Sequence, residues 1–339
     1  MATDYILYGA ELSLFTRKLE SALIWYGIPF VRQAKTSQSR TEIDRRSGTH
    51  QMPALLTPEN WMLADTTPIL MLLDARYPRR AMFPSGLAGV MVHVLEEFFD
   101  EWAARVMVHY RWHYPASAKF AAERLTRELF PDADEATLAK AVAESPVADW
   151  GLRACRATGT GSPHQQRAAE HEYEGLLEAI SQQLTRTRFL LGDRPCAVDA
   201  IVVGGLLAHT YMDPDPKRVV ARYPRVVQWC TQDARQWDGG GELAPFPTST
   251  PFAQTVLSAM ASTYVPFVLG NSRALASNAK AFTISTYGEE VSYLARPYPE
   301  RSRRMIGDRI RHQLDYRERL TVSAWLREWG LQDCFETAM

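Results

Sequence analysis

Two short apolar runs separated by four turn-forming residues make the most distinct hydrophobic pattern in the chain. The first run ends at Leu56, the residues Thr-Pro-Glu-Asn follow at 57–60, and the second run begins at Trp61. This pattern predicts a β-hairpin. Two threonines directly before Pro68 predict the start of a helix, because a hydroxyl can cap the first turn and proline fits within it. The unpaired N–H groups of such a helix start can hold a carboxylate.

Pro53 lies at the entrance to this hairpin, where its missing N–H removes one donor from the strand ladder. With a cis bond before Pro53, the backbone of Met52 would turn outward and could pair with an extended peptide. The stretch therefore suits a peptide-like ligand that carries a carboxylate. An ordinary hairpin followed by an ordinary helix has the same pattern.

The residues before the hairpin predict an α/β layer arrangement. A β-rich run covers 5–8, and apolar side chains recur at helical spacing over 13–26. A second strand begins at 28–31, and the polar stretch 35–50 predicts a loop with one helical turn. A helix over about 67–77 follows the hairpin, so the order is β-α-β-(α)-β-β-α. The first two strands should be parallel and joined by a right-handed crossover.

Composition narrows the class of protein but names no chemistry. The 339 residues include 46% hydrophobic and 23% charged residues, which is typical of a folded chain with substantial cores. The net charge of −1 predicts neither a nucleic acid nor an anionic membrane as partner. No apolar run approaches a membrane span and the first residues lack a signal-peptide pattern, so we expect a cytoplasmic protein. The four cysteines are too scattered to indicate zinc or a disulfide framework: Cys155, Cys196, Cys230 and Cys334.

Five short motifs occur in order within the first 66 residues. They are Tyr8-Gly9, Ser-Leu-Phe-Thr-Arg-Lys at 13–18, Gly-Ile-Pro-Phe at 27–30, Gln51-Met52-Pro53 and Asp65-Thr66. Together they resemble the thioredoxin-like domain of cytosolic glutathione transferases. The chain departs from that family's usual residues at three places: Leu14 stands where proline is common, Met52 where valine is, and Asp65-Thr66 where Glu-Ser is.

The resemblance implies that the thiol of bound glutathione becomes a thiolate, with Ser13 as the activating hydroxyl. A hydroxyl that donates to sulfur at a helix N-terminus favours the anion through its hydrogen bond and through the helix dipole. A plain helix N-cap is the compatible alternative for Ser13, and Thr16 and Tyr8 are the alternative donors. Because neither Ser13 nor Thr16 is a cysteine, the chain cannot shuttle a disulfide through a C-x-x-C motif.

The same resemblance assigns the glutathione-binding residues. It implies that the Met52 backbone pairs with the cysteinyl unit, that Pro53 is cis, and that Gln51 contacts the glycyl end. It also implies that Asp65 and Thr66 hold the γ-glutamyl amine and carboxylate. No metal is expected. For Arg17, which could add a charge-assisted contact, we favour a solvated position on the helix face.

A second part of the resemblance covers the helices that follow. An amphipathic helix is predicted from about Leu87 to Trp112, and a further helix over 170–185. The run Phe189–Asp199 closely resembles the family's entry to a buried helix, with Asp199 as a capping residue and Cys196 in place of the usual serine or threonine. That thiol should make a weaker cap. Four aromatic side chains are candidates for the electrophile pocket, with ordinary core as the favoured alternative: Trp102, His109, Tyr110 and Trp112.

About 100 residues extend beyond the part of the chain that the resemblance covers, which ends near residue 235. The glycines at 239–241 and the proline-rich 245–251 stretch predict a linker. The alternating residues 281–287 and 290–294 predict a small hairpin. A single Arg-rich helix with a solvated, ion-paired face is predicted from about Glu300 to Trp329.

The predicted fold is an α/β thioredoxin-like N-terminal domain (1–80), an all-α glutathione-transferase C-terminal domain (87–237) and a mostly helical extension (238–339). The leading functional hypothesis is a homodimeric enzyme that attacks a small hydrophobic electrophile with activated glutathione. Two alternatives remain open: a binding or scaffolding protein that kept only the fold, and a glutathione-dependent isomerase, lyase or dehalogenase.

Overall fold

The N-terminal residues form the predicted α/β unit. The computed structural model describes residues 4–144 and 147–336. Its first elements are β1 (Tyr5–Tyr8), α1 (Leu14–Tyr26), β2 (Phe30–Gln33), α2 (Arg40–Ser47), β3 (Ala54–Leu56), β4 (Met62–Ala64) and α3 (Thr66–Arg76). The predicted order and the predicted hairpin are confirmed.

The four strands form one mixed sheet in the order β2-β1-β3-β4. β1 and β2 are parallel, as predicted, and the other two pairings are antiparallel. Tyr8, at the end of β1, lies opposite Gln33 of β2 and Ala54 of β3, and Ala54 lies opposite Ala64 of β4. The segments that follow β1, β2 and β4 and the segment that precedes β3 therefore share one edge of the sheet.

Two local predictions in this region are wrong. The stretch 35–50 contains the eight-residue helix α2 rather than one turn. The residue that caps α3 is Asp65, whose side chain makes no cap hydrogen bond. Thr66 and Thr67 lie inside the helix, since α3 begins at Thr66, so neither hydroxyl is an N-cap.

Helices make up the middle of the chain. They are α4 (Gly86–Glu97), a π-helical segment (Phe98–Ala103), α5 (Ala104–His113), α6 (Pro115–Leu129), α7 (Glu135–Glu144), α8 (Val147–Ala157), α9 (Pro163–Gln183), α10 (Ala197–Gly205), a second π-helical segment (Leu206–Thr210), α11 (Pro214–Val220) and α12 (Pro224–Thr231). The predicted helix over 87–112 is confirmed, with the π-helical segment as an unpredicted interruption.

Cys196 and Asp199 open α10 as predicted, but the thiol acts differently from a capping hydroxyl. The Cys196 amide donates to the Asp199 carboxylate at 2.9 Å, and the Cys196 Sγ donates to the same oxygen at 3.3 Å. Both residues are fully buried. The thiol therefore acts as a second donor to the carboxylate that accepts the cap amide.

The C-terminal residues add helices and one hairpin. The elements are α13 (Pro251–Ser262), α14 (Tyr264–Ala276), β5 (Ala281–Thr286), β6 (Glu289–Leu294), α15 (Pro297–Gln313), α16 (Tyr316–Glu328) and α17 (Gln332–Phe335). The predicted hairpin is confirmed by the antiparallel pairing of β5 with β6.

The predicted single helix from Glu300 to Trp329 is wrong, because the chain breaks between α15 and α16. Asp315 caps α16 through its side chain, which accepts from the Glu318 amide at 2.8 Å, and Glu318 accepts from the Asp315 amide at 3.0 Å. This reciprocal capping box starts a new helix. The predicted solvated arginine face is also wrong in part, since Arg303 and Arg309 are buried.

The described residues form two compact units. The first contains the residues up to Met82 together with Met107–Leu152 and Pro195–Gly240, and the second contains Phe83–Val106, Arg153–Arg194 and the residues from Gly241 onward. Two of these boundaries fall close to the predicted domain boundaries, while the predicted middle domain contributes to both units. The three predicted domains themselves stay a prediction.

Across the described residues no single helix has the length and apolar composition to cross a membrane, although α13 and α14, bent by 46°, meet that test as a pair.

Candidate functional site

The shared edge of the four-stranded sheet brings the predicted binding segments together. The loop that leads to Ser13 follows β1, Met52 and Pro53 precede β3, and Asp65 and Thr66 follow β4. Because the ends of these strands are paired residue by residue, the three segments lie side by side. The sequence predicted the parallel pair of β1 and β2 and the hairpin of β3 and β4, and the pairing of β1 with β3 completes this edge in the structure.

Ser13 is the N-cap of α1, which confirms the capping interpretation. Its Oγ accepts from the Thr16 amide at 3.3 Å, and its backbone is extended, with φ −96° and ψ 118°. The side chain is partly exposed. A hydroxyl that accepts one N–H still has its own proton to donate, so Ser13 can cap the helix and donate to a ligand atom at the same time. Its contact with sulfur stays a prediction.

Thr16, the first alternative donor, lies under the loop rather than at the surface. It is fully buried, and its Oγ1 has no hydrogen-bond partner among the described residues. A Cβ added to Gly9 would come within 2.3 Å of that oxygen, so Gly9 packs directly over Thr16. A ligand sulfur could reach this hydroxyl only if the loop moved. Tyr8, the second alternative, is partly exposed at the end of β1.

The Met52–Pro53 bond is cis, as the resemblance implied. Pro53 is buried, Met52 is partly exposed and Gln51 is exposed. Lys35, which follows β2, donates to the carbonyl oxygens of His50 and Gln51 at 2.9 and 2.8 Å. This buried lysine fixes the backbone that precedes Met52, and the polar pattern of residues 35–50 gave no signal for it.

Asp65 and Thr66 stand at the start of α3, where a carboxylate can meet unpaired N–H groups. Asp65 has a positive φ of 73°, and Thr66 is buried. Behind them, the fully buried Lys18 of α1 donates from Nζ to the Thr67 Oγ1 at 3.2 Å. Lys18 has no signal in the sequence, because a lysine within an amphipathic helix is usually on its polar face.

The loop before Ser13 carries an ion-pair network on Glu11. Arg17 pairs with Glu11 at 3.0 Å and with Glu20 at 2.6 Å, and Arg124 pairs with Glu11 at 2.7 Å. Burial favours a higher pKa for Glu11, but the hydrogen bond from Arg124 and the charge of Arg17 lower the pKa on balance. The predicted solvated position for Arg17 is therefore wrong, since 13% of its side chain is exposed.

The backbone of Glu11 is held as well. The Glu128 carboxylate accepts from the Glu11 amide at 3.0 and 3.1 Å. Burial raises the pKa of Glu128, while this backbone hydrogen bond opposes the shift. Side chains from α6 thus reach both the backbone and the carboxylate of a residue in the Ser13 loop.

The four aromatic candidates for the electrophile pocket are buried, as the favoured core interpretation predicted. In the second unit, Trp102 donates from its indole N–H to Glu172 at 2.9 Å. In the first unit, the His109 ring lies 5.4 Å from the Tyr110 ring. Among the described residues no cluster of three or more histidine, cysteine, aspartate or glutamate side chains has a metal-binding arrangement.

The fold and the sheet edge define a thioredoxin-like domain followed by helices. One family model, described as the N-terminal domain of glutathione S-transferase, matches residues 7–81. A second, described as the C-terminal domain of glutathione S-transferase, matches residues 173–232. Residues 7–81 and 173–232 therefore match the two domains of the glutathione S-transferase family.

Several solved structures are similar to this chain at low identity. A glutathione S-transferase from Rhodospirillum rubrum is 17% identical, with 74% of this chain and 99% of that one covered and a TM-score of 0.46. One from Methylobacterium radiotolerans, in complex with glutathione sulfonate, is 20% identical over 67% and 89%, with a TM-score of 0.41. Poplar glutathione transferase F1 is 17% identical over 70% and 95%, with a TM-score of 0.41. These scores add nothing to the family assignment, and no curated protein matches the chain.

Proposed function

We propose that this protein is a glutathione transferase in which Ser13 activates the glutathione thiol for attack on a small hydrophobic electrophile. The observation that supports it best is the common sheet edge. There a partly exposed helix-capping hydroxyl, a cis-proline strand entrance and a helix N-terminus lie side by side. Glutathione would place its central thiol at the hydroxyl, its cysteinyl backbone at the strand entrance and its γ-glutamyl carboxylate at the helix N-terminus.

The chemistry follows from the acidity of the thiol. A free thiol has a pKa of about 8.5 and is mostly protonated at pH 7, whereas the thiolate is the nucleophile. When the thiol proton leaves to solvent, the Ser13 hydroxyl donates to the sulfur and the N-terminus of α1 adds a favourable dipole. The sulfur lone pair then forms a bond to an electrophilic carbon. In a displacement the leaving group departs with its bonding electrons, and in an addition the substrate takes up a proton from solvent.

The remaining site residues would hold the peptide. The Met52 backbone would pair with the cysteinyl unit, Gln51 would contact the glycyl end, and Asp65 and Thr66 would take the γ-glutamyl amine and carboxylate. Holding both reactants in one geometry can supply a large share of the rate gain. Lys35 would contribute indirectly by fixing the carbonyl of Gln51.

The test is to measure conjugation across electrophile classes with and without glutathione, in the wild type and in Ser13→Ala. We expect Ser13→Ala to lower kcat by about 10- to 1,000-fold, because it removes a donor aimed at developing charge. Binding of glutathione, measured by calorimetry, should change much less. Thr16→Val removes only the buried hydroxyl and is the matched control, with activity close to the wild type.

No heat of glutathione binding to the wild type would rule out the transferase. If Thr16→Val lost its conjugation activity while Ser13→Ala kept it, the activating role would move to Thr16. Binding of glutathione without conjugation of any electrophile would favour a binding protein that has the fold alone.

A further inference from the structure

Arg111 is a buried side chain of the first unit that holds the backbone immediately before Ser13. Its Nη1 donates to the Leu12 carbonyl oxygen at 2.6 Å. Its Nη2 donates to the Ala208 carbonyl oxygen at 2.7 Å and to the Asp213 Oδ1 at 3.1 Å, and its Nε donates to the Asp213 Oδ2 at 2.9 Å. One guanidinium thus joins a carboxylate, a helix and the loop of the proposed nucleophile site.

Stability alone does not account for this arrangement. Arg111 is 4% exposed and Asp213 is fully buried. Burial lowers the pKa of Arg111 and raises the pKa of Asp213 to about 6, while the ion pair opposes both shifts. A buried ion pair of this kind gains little net stability over well-packed apolar side chains of similar volume. Its distinctive property is directional, because the planar guanidinium places several donors in one rigid fork.

Through the Leu12 carbonyl oxygen, the guanidinium of Arg111 fixes the backbone next to Ser13. Leu12 and Ser13 share one planar peptide unit, so an acceptor fixed at the Leu12 oxygen also fixes the nitrogen of Ser13. Leu12 is 1% exposed, and the neighbouring Glu11 amide is held by Glu128 at 3.0 Å. Side chains therefore hold the loop on both sides of the Leu12 α-carbon, since Arg17 also donates to the Glu11 carbonyl oxygen at 3.1 Å. The direction of the Ser13 side chain depends on both.

We propose that Arg111, oriented by Asp213, is a positioning residue that aims the Ser13 hydroxyl at the glutathione sulfur through the Leu12 carbonyl. The inference rests on the proposed function of Ser13. Lysine cannot reproduce the effect, since an ammonium group lacks the fixed fork that reaches a carboxylate and a carbonyl together. A misplacement of about 1 Å at a reacting group can cost about 100-fold in rate.

The experiment compares Arg111→Lys with the wild type in three readouts: kcat, KM for glutathione, and the pKa of the bound thiol from ultraviolet titration of thiolate absorbance. We expect kcat to fall by about 10- to 100-fold and KM for glutathione to change by less than about threefold, because only the aim of one donor is lost. The thiol pKa should rise by about one unit, because a misdirected Ser13 hydroxyl makes a weaker hydrogen bond to the thiolate. A residue with a merely structural role would not move the thiol pKa.

Arg303→Lys is the matched control. Arg303 is also buried, also pairs with a carboxylate and also donates to a backbone carbonyl, but its partners Glu300 and Cys334 lie in the second unit. We expect it to leave kcat and the thiol pKa unchanged. If Arg111→Lys does not fold, Asp213→Asn keeps the side-chain shape, weakens the hold on the guanidinium and should shift the thiol pKa in the same direction.

Ser13→Ala, measured in parallel, separates the two proposals. An unchanged kcat in Ser13→Ala would show that the role proposed for Ser13 is wrong. A fall in Ser13→Ala with an unchanged thiol pKa in folded Arg111→Lys would overturn the positioning role alone. Equal shifts in the thiol pKa for Arg111→Lys and Arg303→Lys would also overturn it, because the effect would then not depend on the Leu12 contact.

Discussion

Arg111 and Arg303 are buried arginines that make similar contacts in two different parts of the chain. Each buried guanidinium makes two contacts to one carboxylate: Arg111 to Asp213 at 2.9 and 3.1 Å, and Arg303 to Glu300 at 2.8 and 2.9 Å. Each also donates to backbone carbonyl oxygens, Arg303 to one and Arg111 to two. What differs is the segment that the carbonyl belongs to.

Arg111 holds Leu12, directly before the proposed activating hydroxyl of Ser13, whereas Arg303 holds Cys334 in the short final helix α17. A similar set of contacts should therefore affect chemistry in one place and only stability in the other. The contact set of a buried charge does not reveal its role; the segment that it fixes does.

The two carboxylates also have different second partners. Glu300 accepts from Arg304 at 2.6 Å in addition to Arg303. Asp213 has His209 at 3.7 Å, but burial and the charge of Arg111 lower the pKa of that imidazole well below its usual value, so it is neutral at pH 7. Removal of the arginine should consequently leave Asp213 buried without a charged partner, so that it takes up a proton, whereas Glu300 keeps a remaining partner.

The largest expected effect is on the stability of Arg111→Met. It should lower the free energy of unfolding by about 3–5 kcal/mol, the usual cost of removing one partner of a buried ion pair. Arg303→Met should cost about half as much, since Arg304 still pairs with Glu300. Urea unfolding at pH 7, with the slope checked for each variant, measures both. Equal losses would show that the second partner of the carboxylate is of no consequence.

The next effect is the response of the Glu300 cluster to acid. Burial alone favours a higher pKa for Glu300, but hydrogen bonds from Arg303 and Arg304 lower the pKa to about 2. A carboxylate whose pKa is lower in the folded state adds stability above its unfolded value, and this contribution is lost as the pH falls through the folded value. The loss should therefore run from about pH 4.5 down to about pH 2, the interval between the two values.

Its size should be about 1 kcal/mol, because Arg304 is mostly exposed and water screens the pair. Thermal unfolding of the wild type and of Glu300→Gln over this pH range tests it. The variant should lose less stability on acidification than the wild type. Parallel curves would show that Glu300 is not the group responsible.

The sequence predicted the strands and helices that carry the site more fully than the buried side chains that hold them in place. Period-two and helical patterns located the strands and the hairpin, and the family resemblance named Ser13, Met52 and Thr66, which the register of the sheet brings to one edge. The predicted strands, helices and hairpin are confirmed because each depends on neighbouring residues. Lys18, which lies 49 residues before its partner Thr67, had no such local signal.

Arg111 also had no local signal in the sequence. Its acceptors are 97, 99 and 102 residues away, and an arginine in an amphipathic helix normally predicts a solvated face. The break between α15 and α16, in contrast, was predictable. Asp315 and Glu318 have the spacing of a capping box, and the charge pattern of the arginines outweighed that signal in the prediction of one long helix.

The smallest expected effect belongs to an exposed arginine of α15. It tests whether burial or a short contact distance determines how much the ion pairs of Arg111 and Arg303 stabilise the fold. Arg311 pairs with Asp308 at 2.5 Å, with 44% and 57% of the two side chains exposed. That distance is shorter than either contact of Arg303 to Glu300. We expect Arg311→Ala to change the free energy of unfolding by less than about 0.5 kcal/mol, because water and salt screen an exposed pair. Urea unfolding at low and high salt measures it, and a loss as large as that of Arg303→Met would mean that short contacts stabilise this helix whether or not they are buried.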